Sequence, residues 1–205
     1  MEALSAIPAT YILIAANVIV SFVALNNPAL FKLLMFEVEG VVKRGEYHRL
    51  ITAGFLHVDV NHLLFNMLTL FFFGPALESS GMLGVSGFLI VYFVSLVAGN
   101  LWALVENLKR PDYTAVGASG AVSGVLVSFC LFAPFALILI FFIIPMPAIL
   151  FAVLYIAYSA IAMGRDKSNI GHEAHLGGAI AGLLVTMLLV PGIIDTLVER
   201  VLGLL

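Results

Sequence analysis

Charge is what this sequence has least of. Nine basic and twelve acidic side chains make up 10% of its 205 residues, where a soluble domain carries about 25%. So few charges cannot cover a 22.0 kDa globule whose mean hydropathy is +1.15. With 62% apolar residues, lipid must do the covering, which excludes a soluble enzyme and a disordered chain. Positive excess is also missing. A net charge of −3 leaves no basic footprint for nucleic acid. Cysteine is nearly absent, and Cys130 alone excludes an internal disulfide and a cysteine-rich metal site.

What remains is apolar sequence cut by rare charges. A spanning helix needs about 20 apolar residues. Charge-free runs cover residues 3–31, 60–77, 79–105, 113–164 and 174–194, and the fourth is long enough for two spans. Helices are therefore expected at 8–28, 61–77, 82–104, 116–132, 147–163 and 174–194. Pro134, Pro145 and Pro147 interrupt the long run, because proline cannot continue a helix comfortably. An irregular apolar connector is expected there, and a fourth helix running on to 143 is the alternative. The first helix has no basic n-region and no small-residue cleavage site, so it reads as a retained span. The connector 32–60 mixes Lys32, Glu37, Glu39, Lys43, Arg44, Glu46, Arg49 and Asp59 with Phe36, Val38, Val41, Tyr47, Leu50 and Phe55. That pattern is amphipathic, suited to the membrane surface or to packing into the bundle. The fold class is an all-α polytopic membrane protein, one domain over 1–205.

With six spans, Lys32, Lys43, Arg44, Arg49, Lys109, Arg110, Arg165 and Lys167 share one side, and Arg200 is alone on the other. Read literally, the positive-inside rule makes the crowded side cytoplasmic.

Polar residues inside a bilayer are costly and mark function by default. His57, His62 and Asn66 at the second helix, Ser119 at the fourth, and His172 and His175 at the sixth all fall near one membrane face. Gly117-Ala118-Ser119-Gly120 lets backbone approach a hydroxyl at a helix start, where N–H groups lack partners and can hold an oxyanion. Gly120 and Gly124 also form GxxxG, a packing motif. In Gly171-His172-Glu173-Ala174-His175-Leu176-Gly177-Gly178, followed by Gly182, residues 171, 175, 178 and 182 form one helical stripe. If the fourth and sixth helices pack through their glycines, Ser119 and His175 meet. His172 is rotated off the stripe. His62 and Asn66 are i, i+4, and both can donate hydrogen bonds; the plainer reading is interhelical polar glue. His57 precedes the helix and reads as structural. A metal site is not expected: HExxH needs histidines at i and i+4, and His172 and His175 are i, i+3.

Taken in order, these motifs identify a resemblance over nearly the whole chain. Arg49 lies eight residues before His57. HxxxxHxxxN follows at His57, His62 and Asn66. GASG holds Ser119, AHxxGxxxG holds His175, Gly178 and Gly182, and Gly74 and Glu78 also fit. The chain resembles the rhomboid intramembrane serine proteases in their minimal six-helix form. The resemblance implies that Ser119 is the nucleophile and His175 its base, a dyad without an acid acting through an acyl-enzyme. His62, Asn66 and the Ser119 N–H would form the oxyanion hole, with Gly117, Gly120, Gly178, Gly182, His57, Arg49 and Glu78 in support. Substrates would be transmembrane segments of proteins in the lipid bilayer, with no cofactor, metal or nucleic acid. The setting would be a prokaryotic cell membrane, with the active site opening to the extracytoplasmic side. Two departures stand out. His48 occupies a position that is tryptophan in the family, and Ser123 replaces an aromatic that often packs on the catalytic histidine. Rival readings are an inactive rhomboid-like client binder, which would normally have lost the serine or histidine, and a small transporter, which would carry midplane charges or inverted repeats.

Overall fold

A computed structural model describes residues 8–79, 81–140, 143–163 and 171–203; Arg165 and Lys167 lie outside them. The large apolar helices in chain order are α1 (Ala9–Leu25), α5 (Val60–Glu78), α6 (Gly84–Glu106), α7 (Ser119–Phe132), α8 (Ala148–Ala162) and α9 (His172–Leu189). The first connector holds α2 (Pro28–Leu34), β1 (Phe36–Glu37), α3 (Val38–Arg44), α4 (Arg49–Thr52) and a 3₁₀ turn at Ala53–Phe55. Strand β2 (Thr114–Ala115) precedes α7, strands β3 (Leu137–Ile140) and β4 (Ile144–Pro147) follow it, and α10 (Ile193–Leu202) ends the described chain. Among the described residues, α5, α6 and α9 are long and apolar enough to cross a membrane, and α1, α7 and α8 are shorter apolar helices. The chain is an all-α, multi-pass integral membrane protein.

Length and burial explain each other in α7. Its 14 residues rise only about 21 Å at 1.5 Å each, well short of a hydrocarbon core of about 30 Å. Eleven of those residues are buried, so α7 is solvated by other helices rather than by lipid. The surrounding core includes Leu70, Leu77, Phe88, Val91, Tyr92 and Leu96, against Ala121 and Val125 of α7.

The connector packs into the bundle. Phe36, Val38, Val41 and Ala53 form a buried cluster with Leu104, Tyr113 and Ala115 beside it, while Tyr47 is exposed. Strand β1 pairs antiparallel with β2, Phe36 opposite Ala115, tying the connector to the segment just before α7. Arg49 is buried and organises the corner. Its guanidinium donates to the carbonyls of Lys32 (2.8 Å) and Met35 (2.6 Å) and to the Glu46 carboxylate (2.7 Å). Arg44 also contacts Glu46, and these two guanidinium partners hold the Glu46 carboxyl down at about 2. His48 is exposed, its Nε2 3.4 Å from the Leu33 carbonyl, so Arg49 carries the anchoring.

Glu78 caps α1 from the far end of α5. Its carboxylate accepts from the N–H groups of Ala9 (2.5 Å) and Thr10 (2.9 Å) and from the Thr10 hydroxyl (2.7 Å), where orphan donors and the helix dipole favour a negative charge. Gly74, one turn earlier, makes room: a Cβ there would lie 2.6 Å from Thr10 Cγ2.

Two expectations need correction. The apolar connector after α7 is not irregular, nor does α7 run to 143; it is an antiparallel hairpin, with Ile138 opposite Met146 and Leu137 opposite Pro147. Ala148 N–H donates to the Ala136 carbonyl, so by alternation Pro145 and Pro147 occupy positions that need no ladder donor. The last span stops at Leu189 instead of 194. Pro191 cannot continue it, Gly192 takes φ +86°, and α10 starts separately. Arg200 of α10 then reaches back to the Phe132 carbonyl (2.5 Å) at the end of α7.

Candidate active site

Glycine contacts between α7 and α9 place the central residues. A Cβ on Gly178 would strike the carbonyl oxygen of Gly120 and lie 2.9 Å from its Cα. One turn on, a Cβ at Gly182 would strike Gly124. At the upper end, a Cβ on Gly120 would be 3.2 Å from the Ala174 carbonyl. The two backbones are in contact there, and Ser119 and His175 are the residues adjoining Gly120 and Ala174. Helix α6 closes the third side, since a Cβ on Gly99 would lie 2.6 Å from the Ala174 carbonyl. Lower down, the Thr186 and Ser128 hydroxyls meet at 2.7 Å. Gly171 is not part of the stripe: it is the N-cap of α9.

Ser119 is the first residue of α7, and no side chain caps that helix. Its leading N–H groups therefore have no side-chain capping acceptor, the condition under which a helix start can receive an anion. Gly117 turns the chain into the helix at φ +133°, a region that favours glycine. A Cβ there would sit 2.9 Å from His62 Nε2 and 3.7 Å from Ser119 Oγ, so His62 and the serine hydroxyl share the space beside Gly117. Asp59 caps α5 by accepting from the His62 N–H (2.8 Å), which fixes where His62 starts the helix. Asn66, one turn down and buried, donates to the His62 carbonyl (2.9 Å). Among the described residues no hydrogen bond joins the Ser119 hydroxyl to the His175 ring. Catalytic contacts are often long before substrate binds.

His57 is fully buried and braces the serine loop. The Ser21 hydroxyl donates to the Phe55 carbonyl (2.9 Å), so its proton is committed. His57 Nδ1, 2.8 Å from Ser21 Oγ, must then donate, leaving Nε2 to accept from Ala118 N–H (3.5 Å). A second tie holds the same loop, Gly117 N–H to the Ala53 carbonyl (3.0 Å). Burial, and next the neighbouring His62, push the His57 pKa down to about 3. The unfolded chain takes up a proton below about 6.5 that the folded chain refuses until about 3. Stability therefore falls as pH drops through that window, by up to about 1.4 kcal/mol per pH unit from this one group. Thermal midpoints in detergent at pH 7 and pH 4.5 should differ more for the wild type than for His57→Asn. An equal difference would remove His57 as the cause.

Sequence reasoning missed Tyr155. Its ring stacks on His175 (centroids 6.1 Å, 27° between planes), and its hydroxyl lies 2.6 Å from Ser123 Oγ. The available signal was Phe151, Tyr155 and Tyr158 at i, i+4, i+7 in α8. Tyr158 packs edge-on against His172 (5.3 Å), so the aromatic stripe of α8 faces both histidines of α9. It also missed the polar stripe of α1, where Thr10, Asn17 and Ser21 are all buried.

The rhomboid-domain family model matches residues 44–192, from the end of α3 to the end of α9. RHOMBOID-like protein 12, mitochondrial, of Arabidopsis thaliana is 30% identical over 177 residues, 80% of this chain and 52% of the relative. YdcA of Bacillus subtilis, a candidate rhomboid protease, is 38% identical over 151 residues, 73% of this chain and 70% of its own length. Rhomboid protease GluP of the same organism is 32% identical over 142 residues, 69% of this chain and 26% of GluP. The chain thus spans about half of the Arabidopsis relative and about a quarter of GluP. With a family match across most of its length and the same motifs gathered on three packed helices, this chain belongs to the rhomboid family.

Proposed function

We propose that this chain is an intramembrane serine endopeptidase working through Ser119 and His175. The carrying observation is the backbone contact of α7 and α9 at Gly120, Ala174 and Gly178, which supports a hydroxyl and an imidazole side by side. His175 takes the proton as Ser119 Oγ attacks a peptide carbonyl. It returns that proton to the leaving amine as the C–N bond breaks, giving an acyl-enzyme. Water, activated by the same imidazole, then hydrolyses the ester and restores the serine. His62, Asn66 and the Ser119 N–H are the donors for the tetrahedral oxyanion. The substrates are transmembrane segments, unwound where glycine, proline or polar residues weaken the helix, because helical amides are otherwise already hydrogen-bonded. The short α8 and its proline-bearing hairpin are the entry side. All of this lies within one membrane domain.

A fluorophosphonate probe tests the nucleophile. The wild type should be labelled and Ser119→Ala should not; equal labelling of both, or of neither, would end the proposal. Asn66→Ala should reduce kcat by about 10²–10³-fold with KM little changed, the loss typical of one oxyanion donor. An unchanged kcat would take Asn66 out of the hole.

We further propose a prokaryotic cell membrane, the setting of the Bacillus relatives, with the site opening outward against the raw charge count. Lys109→Cys, on the same side as Ser119, should react with an impermeant maleimide in intact cells. Reaction only after lysis would reverse the orientation.

A further inference from the structure

We propose that Tyr155 is the positioning residue that orients His175, and that Ser123 holds Tyr155 in place. The inference rests on the reading of Ser119 and His175 as the dyad. An imidazole without an acid partner still has to be held, since a base acts only at one orientation. The ring contacts of His175 are aromatic: the Tyr155 face at 6.1 Å and the His172 edge at 6.0 Å. Phe151 stacks on Tyr155 as well, at 5.9 Å and 12°, so the tyrosine ring has two ring partners.

Hydrogen bonding fixes the other end of that ring. Ser123 Oγ donates to the Ser119 carbonyl (2.6 Å). Its only proton is then used, so the Tyr155 hydroxyl is the donor in the 2.6 Å contact between the two. One chain therefore runs from Tyr155 through Ser123 to the backbone of Ser119, while the same ring lies flat against His175. The serine and the tyrosine are one device, divided between α7 and α8.

The link ties a peripheral helix to the chemistry. Only Ala148, Ala152 and Ser159 of α8 are buried, and Tyr155 itself is half-buried. Tyr155 also packs on the buried cluster of Val127, Cys130, Ala148, Ala152 and Ala179 that docks α8, and in the proposal His175 is aligned only while α8 is docked.

The test measures kcat and KM for a transmembrane peptide in proteoliposomes, with thermal midpoints as the folding control. Tyr155→Leu removes ring and hydroxyl and should lower kcat by about 10–100-fold, with KM within about two-fold. Tyr155→Phe keeps the stack and should recover most of that loss. Ser123→Ala should match Tyr155→Phe, and the double variant should be no slower than either, because both break one bond. A wild-type kcat in Tyr155→Leu, a loss carried entirely by KM, or Phe performing no better than Leu would overturn the proposal. If Tyr155→Leu does not fold, the Ser123→Ala and Tyr155→Phe cycle decides: a shared kcat loss supports the device, and unchanged kcat in both removes it. Failure of the dyad itself would look different, since Ser119→Ala would then keep its cleavage and its probe labelling.

Discussion

Alanine at Ser119 or at His175 should lower kcat by about 10⁴-fold or more, with both proteins keeping their thermal midpoint. Serine is inert at its own pKa and needs an adjacent base. Removing either member therefore removes the same step. The double variant should be no slower than the slower single one, because groups acting as a unit are strongly non-additive. A 10⁴-fold change corresponds to about 5.5 kcal/mol of barrier, too large for a repacking effect at half-buried positions. Residual turnover is to be expected from the oxyanion donors and from substrate binding alone. The measurement is single-turnover cleavage of a transmembrane substrate. Either variant running within ten-fold of wild type would dismantle the dyad, and a collapsed midpoint in both would point to folding instead.

Among the described residues the Ser119 hydroxyl and the His175 ring share no hydrogen bond, and this matters for what alanine measures. The backbones at Gly120 and Ala174 are in contact, which sets the neighbouring residues 119 and 175 on facing helices. In the proposed mechanism a substrate carbonyl and the oxyanion donors would complete the geometry. The expected loss therefore refers to the loaded enzyme.

Much of this arrangement could be read from residue order. Rare charges delimit the apolar helices, and Gly178 and Gly182, three and seven residues after His175, predicted the face on which α9 meets α7. Other features follow from contacts between segments distant in the chain, which no local pattern records. His57 reads as a lone histidine until Ser21 and Ala118, 36 and 61 residues away, fix its tautomer. Ser123 reads as a lost aromatic until Tyr155, 32 residues on, supplies one from another helix. The hairpin after α7 was hidden for a different reason. Apolar strands and apolar helices share a composition, and the telling feature is the alternation of Pro145 and Pro147, which only a strand register makes meaningful. The early end of α9 was legible in Pro191-Gly192; hydropathy alone carried the expected helix past it.

Valine at Gly178 should separate α7 from α9, cost about 3–5 kcal/mol of stability and lower kcat by more than about 10²-fold. A Cβ at this position meets three backbone atoms of one residue: the oxygen of Gly120, its carbonyl carbon at 2.6 Å and its Cα at 2.9 Å. Backbone cannot swing aside as a side-chain end can, so the helices must part. Parting them moves residue 175 relative to residue 119, and a shift of about 1 Å in a reacting pair is enough for the kinetic loss. Gly182 and Gly124 repeat the contact one turn lower, which prevents a simple pivot. Gly171→Ala is the control. Its φ of −76° suits any residue, and its Cβ would meet Ala174 Cβ at an ordinary 3.8 Å. That variant should keep both stability and turnover. If Gly178→Val were as active as Gly171→Ala, close backbone approach would not be what brings the serine and the histidine together.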